Sequence, residues 1–389
     1  MNVLLASISK LEVYTIKRSV LHYGREEMKM KKVFIFGYYG FKNIGDEAIL
    51  SSIIKTLREI NPSIDISALS YNVKYTEKIH NIKGVSRNDI REIIKAIKRC
   101  DLVISGGGSL LQDVTSNRSI IYYLGLILMS KFYEKPVVFF SNGFGPVNKE
   151  WNRYLVRKIV NKVDKIILRD NDSKQLMQKI GITKEIDVTI DATYALDDIA
   201  TDELEKIIQE ECIPGDKPLV GISVRPWVFS ENFRDIMAEF ADYIVEKGFE
   251  VLFIPMQVPK DSDLSKEIIS KMKNKAYVLQ KEYRPQEILS IVGKLEILIG
   301  MRLHSLIFAS IQGVPMLGIE YDPKIDSFLK IADQKNLGKV EKLNLENLYK
   351  EFDRVVRQHM VESLKTQGIA ELLKEKAEEN KKLLLEMLR

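Results

Sequence analysis

LEILIGMRLHSLIFASIQGVPMLGIEYDPK, residues Leu295–Lys324, decides the fold. It opens on a short apolar run that ends in Gly300, continues as an apolar helix, and closes on a second apolar run, PMLGIEY. Short runs with no polar alternation are strands covered on both faces. Two of them flanking a helix make a βαβ unit, which requires a parallel sheet with helices packed on it. The same alternation extends in both directions. Upstream in the chain, KKVFIFG, DISALSY, DLVISGGG, PVVFFSNGFGP, KIILRD and DVTIDAT read as strands, with helical stretches such as DEAILSSIIKTLREI between them. After a polar stretch the pattern resumes with LVGISVRP, EVLFIPM and AYVLQ. The expected architecture is therefore α/β, with two facing Rossmann-like doubly wound domains and a cleft between them.

A chain of 389 residues exceeds one comfortable core and suits two domains. Residues 31–195 are expected to form the first and residues 219–342 the second. The stretch 196–218, ending in Pro-Gly-Asp-Lys-Pro, is expected to link them. Residues 343–389 read as charged, amphipathic helices that pack across the two domains. Residues 1–30 carry charges throughout and read as a disordered leader or an upstream start, not as a signal peptide.

The charge balance is mild: 59 basic and 54 acidic side chains leave a net +5. That suits anionic small substrates and is far from the dense basic footprint of a nucleic-acid binder, so no nucleic-acid partner is expected. Cys100 and Cys212 stand far apart, with neither disulfide nor zinc spacing. A reducing cytoplasm follows, with no metal and no cofactor expected. The longest apolar run, IIYYLGLILM (Ile120–Met129), is about half of the ~20 residues that a spanning helix needs. Core packing is its expected work, and contact with a membrane surface is the alternative.

Ligands of open α/β sheets bind beyond the carboxyl ends of the strands. In the second half those ends carry Arg225, Arg302, His304 and Lys324, three cations and an imidazole beside a helix N-terminus, a fitting place for a small, highly charged anion. A lone Arg could equally pair with Glu320 or Asp322, and a lone His on an apolar helix is usually packed core; the convergence is what argues for a site. The first half differs. GYYGFKNIGDE lacks the Gly-Lys-Ser/Thr of a phosphate loop, and Asp46 and Glu47 occupy the helix N-terminus, where they would repel an anion. They point to a hydroxyl-rich ligand or to simple capping. SGGGSLLQD, with Gly107 and Gly108, offers bare N–H groups or close backbone packing. SNGFGP reads as a tight turn that exposes Asn142.

Taken together, GYYGFKNIGDEAIL, ISGGGSLLQD, FFSNGFGPV, LRDNDS and GMRLHSLIFASIQGVPMLGIEYDPK resemble the polysaccharide pyruvyl transferases, and within them the bacterial subgroup acting on secondary cell-wall polymers. The resemblance runs from about Val33 to Phe328. It implies a glycosyltransferase-B-like fold and transfer of pyruvate from phosphoenolpyruvate to a sugar as a cyclic ketal, with phosphate released. The implied acceptor is an N-acetylmannosamine residue on a lipid-diphosphate-linked disaccharide precursor, met peripherally at the cytoplasmic membrane face; surface-layer proteins later recognise the ketal. His304 falls on the catalytic position, Arg302 on a donor-binding position and Lys324 on a second basic one, with Arg225 expected as a further donor-binding Arg. The first domain would be the acceptor side, with Asn43, Asp46, Glu47, Gly107, Gly108 and Asn142 as acceptor candidates, and the second the phosphoenolpyruvate side. The chemistry agrees: phosphoenolpyruvate carries a phosphate beside a carboxylate, and an imidazole titrating near neutrality can donate and accept protons. A nucleotide-sugar-dependent glycosyltransferase and a non-enzymatic sugar or anion sensor are the alternatives.

Overall fold

The computed structural model describes residues 31–114, 117–213, 215–227 and 232–389. The leader expected at residues 1–30 lies outside them. Among the described residues, seven parallel strands form the first sheet: β1 (Lys32–Phe36), β2 (Asp65–Ser70), β3 (Lys83–Ser86), β4 (Leu102–Gly106), β5 (Val137–Asn142), β6 (Lys165–Leu168) and β7 (Ile186–Val188). Their order is β3-β2-β1-β4-β5-β6-β7. The helices between them are α1 (Ile44–Ile60), α2 (Val73–His80), α3 (Ile90–Arg99), α4 (Asn117–Phe132), α5 (Glu150–Val160) and α6 (Asn171–Ile180). The connection to the second half is not bare chain: it holds α7 (Thr201–Glu210), whose Leu204 and Ile207 are buried in the second core.

The second sheet has six parallel strands in the order β10-β9-β8-β11-β12-β13. They are β8 (Leu219–Ser223), β9 (Glu250–Phe253), β10 (Tyr277–Val278), β11 (Ile297–Gly300), β12 (Met316–Glu320) and β13 (Lys335–Lys339). Between and after them run α8 (Phe233–Glu246), α9 (Lys260–Ile269), α10 (Pro285–Val292), α11 (Leu303–Gln312), α12 (Pro323–Ile331), α13 (Leu345–Arg357) and α14 (His359–Leu388). The architecture is two doubly wound domains, as the apolar runs demanded. Strand order reverses between β1 and β4 in one sheet and between β8 and β11 in the other, and such switch points open a crevice at the strand ends. Gly300 lies level with Ser223 of β8 and Gly318 of β12, so the chains leaving these three strands emerge side by side.

Some elements differ from expectation. Helix α2, strand β3, helix α12 and strand β13 carry no clear apolar pattern; β3 (KGVS) and β13 (KNLGK) are edge strands, with a neighbour on one side only. DVTIDAT is strand only through Val188 and then turns into a single 3-10 turn at Ala192–Ala195.

The tail helix α14 spans both halves, as its amphipathic pattern implied. Leu373 belongs to the core beneath β11 and β12, whereas Leu384 and Leu388 belong to the core beneath β1 and β4. Between them the buried Asn380 accepts from Thr189 Oγ1 at 2.6 Å and donates to the Ile190 carbonyl at 3.1 Å. Leu384 is fully buried, so Leu384→Ala is expected to cost about 2–5 kcal/mol of unfolding free energy, measured by urea denaturation. A cost near zero would mean that the tail does not help to hold the first core.

Candidate functional site

The two domains meet along main chain at the crevice. The Ile44 N–H donates to the Met256 carbonyl at 2.8 Å, and Asn43 and Gln257 pair as a short antiparallel bridge. Helix α1 therefore starts at the seam. Asn43 caps it, its side chain accepting from the Gly45 N–H at 3.1 Å. Gly45 cannot be larger: a Cβ there would lie 2.1 Å from His304 Nδ1 of the facing domain.

One pocket at this seam is lined by Asn43, Gly45, Asp46, Gly108, Ser109, Arg169, Arg225, Arg302, His304, Tyr321 and Lys324, with Met256 and Leu303. All four residues expected on the second domain are brought together here. Arg302 is the N-cap residue of α11, is buried, and forms a fork on Asp261, with Nε 2.9 Å from Oδ2 and Nη2 2.6 Å from Oδ1. Its partner is thus Asp261 of α9, not Glu320 or Asp322. Asp261 also accepts from the N–H groups of Met256 and Gln257, at 3.1 and 3.0 Å, and so shapes the loop that carries the seam. The Arg225 guanidinium lies 4.3 Å from the Tyr321 ring centroid and 5.1 Å from that of Trp227, its Nε buried and without a partner. Cation–π packing of this kind holds a guanidinium without consuming its N–H groups. Lys324, in the first turn of α12, has its Nζ 3.3 Å from Asp322.

His304 sits in the first turn of α11. Its Nε2 is buried, has no hydrogen-bond partner, and lies 3.9 Å from Asp191 Oδ2. That oxygen is held by Arg169 Nη1 at 2.9 Å, while the other accepts from Thr193 N and Oγ1. Burial drives the Asp191 carboxyl up, but His304, Arg169 and Thr193 together pull it below its ordinary value. Burial pushes His304 down to about 4; Asp191 opposes this, while Arg169, Lys324 and Arg302 add to it. The imidazole is therefore neutral at pH 7, which corrects the expectation that it titrates near neutrality. The group that does so is Asp46, raised to about 7 by burial and then by Glu47, against the pull of Lys324, Arg302 and Arg169.

Three acceptor candidates do not line the pocket. Glu47 is fully buried, accepting from the Gly40 N–H at 2.8 Å and pairing with His80 at 2.9 Å. The cap is Asn43, so neither Asp46 nor Glu47 does that work. Gly107 is backbone packing: a Cβ there would meet Ile49 at 2.1 Å, and its N–H is used on the Phe140 carbonyl. Asn142 is buried, not exposed, and donates to the Gly107 carbonyl at 3.1 Å. Conversely, Arg169, Ser109 and Tyr321 belong to the pocket, and Asp191 and Asp261 support it, though none was singled out in the sequence. Among the described residues, no group of three or more His, Cys, Asp or Glu side chains could hold a metal ion. Four cations, a neutral imidazole and one carboxyl that gains a proton near neutrality suit binding of a compact polyanion together with proton transfer.

The fold is that of glycosyltransferase-B-like enzymes. Anabaena HepE, solved in complex with UDP-glucose, superposes with a TM-score of 0.62 at 12% identity, covering 91% of this chain and 99% of its own. The Neisseria meningitidis UDP-GlcNAc 2-epimerase bound to UDP-GlcNAc does so with a TM-score of 0.62 at 14% identity, covering 89% and 99%. At these identities the likeness speaks for the fold alone. The polysaccharide pyruvyl transferase family model matches residues 43–323, and the chain belongs to that family of transferases. It is also 24% identical over 260 residues to the amylovoran biosynthesis protein AmsJ of Erwinia amylovora, a match spanning 60% of this chain and 60% of that protein.

Proposed function

We propose that the chain transfers pyruvate from phosphoenolpyruvate to two hydroxyls of an N-acetylmannosamine residue, on a lipid-diphosphate-linked disaccharide precursor of a secondary cell-wall polymer. The product is a cyclic ketal, and phosphate leaves. The observation that carries this reading is the convergence of Arg169, Arg225, Arg302 and Lys324 on one pocket beside His304. Phosphoenolpyruvate places a phosphate next to a carboxylate and needs such a cluster. The lipid carrier would bring the reaction to the inner face of the cell membrane, and the choice of sugar rests on the motif resemblance.

The residues divide the work as follows. Arg302, fixed by Asp261, and Lys324 hold the phosphate and stabilise its departure; Arg225 takes the carboxylate. Asp191 Oδ2, 3.9 Å from His304 Nε2, favours the hydrogen on that nitrogen by its negative charge, and Nδ1 then keeps the lone pair. Nδ1 accepts the proton of the first attacking hydroxyl. Protonated Asp46 gives a proton to the methylene carbon as the C–O bond forms at the central carbon. The tetrahedral centre then expels phosphate, the second hydroxyl closes the ring, and its proton leaves with the phosphate. One methylene becomes a methyl, one hydroxyl proton leaves with the phosphate, and the other passes from His304 back to Asp46, which restores both groups.

The test is phosphate release from phosphoenolpyruvate with a lipid-linked N-acetylmannosaminyl disaccharide mimic; absence of release, or release only with a nucleotide sugar supplied, ends the proposal. The pH dependence is specific. Activity as kcat/KM is expected to fall as pH drops toward about 4, where His304 takes a proton, and again above about 7, where Asp46 loses one. Asp46→Asn should lower the plateau and abolish the alkaline limb. An unchanged alkaline limb in that variant would remove Asp46 from the proton pathway.

A further inference from the structure

The apolar run on α4 is only partly used by the core. Ile120, Tyr123, Leu124, Leu126 and Ile127 are buried in it. The opposite side of the same helix exposes Ile121 (51%), Leu128 (40%) and Phe132 (78%), with the exposed Gly125 between them. The spacing of 121, 125, 128 and 132 places all four on one helix face. An outward face this apolar is unusual on a helix that already fills a core. Helix α5 packs beside α4 and continues the pattern with Trp151 (65% exposed) and Tyr154 (44%), their rings stacked 6.0 Å apart. Around these rings positive charge prevails. Arg157 and Lys158 lie 5.8 and 5.9 Å from the Tyr154 ring, Lys149 and Lys162 are exposed, and Arg153 is held on Glu150, the single acidic residue of the stretch 149–162.

Aliphatic and aromatic side chains ringed by Lys and Arg match the interface of an anionic bilayer, where apolar groups enter the acyl boundary and cations meet the head groups. We infer that this face of α4 and α5 docks the protein, peripherally, on an anionic lipid surface. It does not span: among the described residues no helix is long and apolar enough to cross a membrane. A protein partner fits less well, since a predominantly basic rim around a Trp–Tyr pair specifies negative charge but no shape. Position adds meaning. Both helices begin at the carboxyl edge of the first sheet, and the loop leading to α4 contributes Gly108 and Ser109 to the cleft. Docking here would set the cleft close to the head-group layer, which gives the proposed lipid-linked acceptor a route in, although the face itself stands on burial and charge alone.

Sedimentation of the full chain with vesicles tests it. Binding is expected to vesicles of equal parts phosphatidylcholine and phosphatidylglycerol, to weaken with salt, and to be slight with phosphatidylcholine alone. Phe132→Ser combined with Trp151→Ser, and separately Arg157→Glu combined with Lys158→Glu, should each lower the partition coefficient by about tenfold or more. Leu364→Ser with Leu372→Ser, exposed apolar residues on α14, should leave it unchanged. Phosphate release with a water-soluble acceptor mimic should be unaffected in every variant, so a failed docking and a failed activity assignment are told apart. No binding by the wild type, or equal binding by all variants, overturns the inference. So does concentration-dependent self-association lost in Phe132→Ser with Trp151→Ser, which would give the face to a second copy of the chain.

Discussion

His304→Gln is expected to lower kcat for phosphate release by about 100- to 10,000-fold while leaving the urea unfolding midpoint near that of the wild type. Gln fills a similar volume and keeps a polar tip, but it cannot take a proton from a hydroxyl. The expectation is sharpened by the charges around the ring. The imidazole stays neutral first because burial penalises its charged form, and Arg169, Lys324 and Arg302 add to that penalty. Phosphoenolpyruvate bound as proposed would reverse that field, since its phosphate and carboxylate would bring negative charge to the same cations. The imidazole should then become more basic as the substrate settles. The acid limb of kcat/KM, which reports the free enzyme, should therefore lie at lower pH than the acid limb of kcat, which reports the complex. Coincident limbs would mean that the anion does not bind within reach of the ring, and full activity in His304→Gln would remove His304 from the chemistry.

Asp191→Asn separates orientation from proton transfer. The amide keeps the shape of the carboxylate but can present an N–H to Nε2, favouring the tautomer with the lone pair on the wrong nitrogen. A drop in kcat with little change in KM is the signature of that role, whereas a fall in stability alone would make Asp191 merely the partner of Arg169.

How much of this was legible from residue order depended on whether a signal was local. The central strands β4, β5 and β8 are buried throughout and read as unbroken apolar runs, so the parallel sheets were plain. Edge strands such as β13, KNLGK, have one neighbour and need no such run, and they passed unread. In the site, Arg225 and Arg302 were legible because they directly follow central strands, where doubly wound folds gather ligands. Arg169 also follows a strand, and its sequence neighbour Asp170 lies 3.5 Å from it. Its true partner, Asp191, lies 22 residues further on, and only the fold joins them. Glu47 went wrong for a geometric reason. Consecutive helical residues point about 100° apart, and here the step beyond Asp46 turns the next side chain away from the cleft. Glu47 turns inward to His80, and Asp46 alone lines the pocket.

Asp261→Ala is expected to have the largest effect on stability, about 3–5 kcal/mol of unfolding free energy. The side chain is fully buried, and its two oxygens hold the Arg302 fork and two backbone N–H groups. Removing it strands a buried guanidinium and leaves the Met256 and Gln257 N–H groups without their acceptor. Met256 and Gln257 are also the residues that meet Ile44 and Asn43 across the seam, so the loss reaches the contact between domains. Arg302→Met removes the charge without stranding it and should cost less. The double variant should regain part of the loss of Asp261→Ala, because the uncompensated cation is gone while the orphaned N–H groups remain. Urea denaturation of the three variants measures these differences. Activity distinguishes the two residues in another way. Arg302→Met should raise KM for phosphoenolpyruvate and lower kcat, having lost the group proposed to hold the phosphate. Asp261→Asn should act mainly through KM, since the amide still accepts one hydrogen bond from the guanidinium but no longer fixes its angle. If Asp261→Ala costs less than about 1 kcal/mol, the pair is not the anchor of the loop, and Arg302 owes its position to α11 alone.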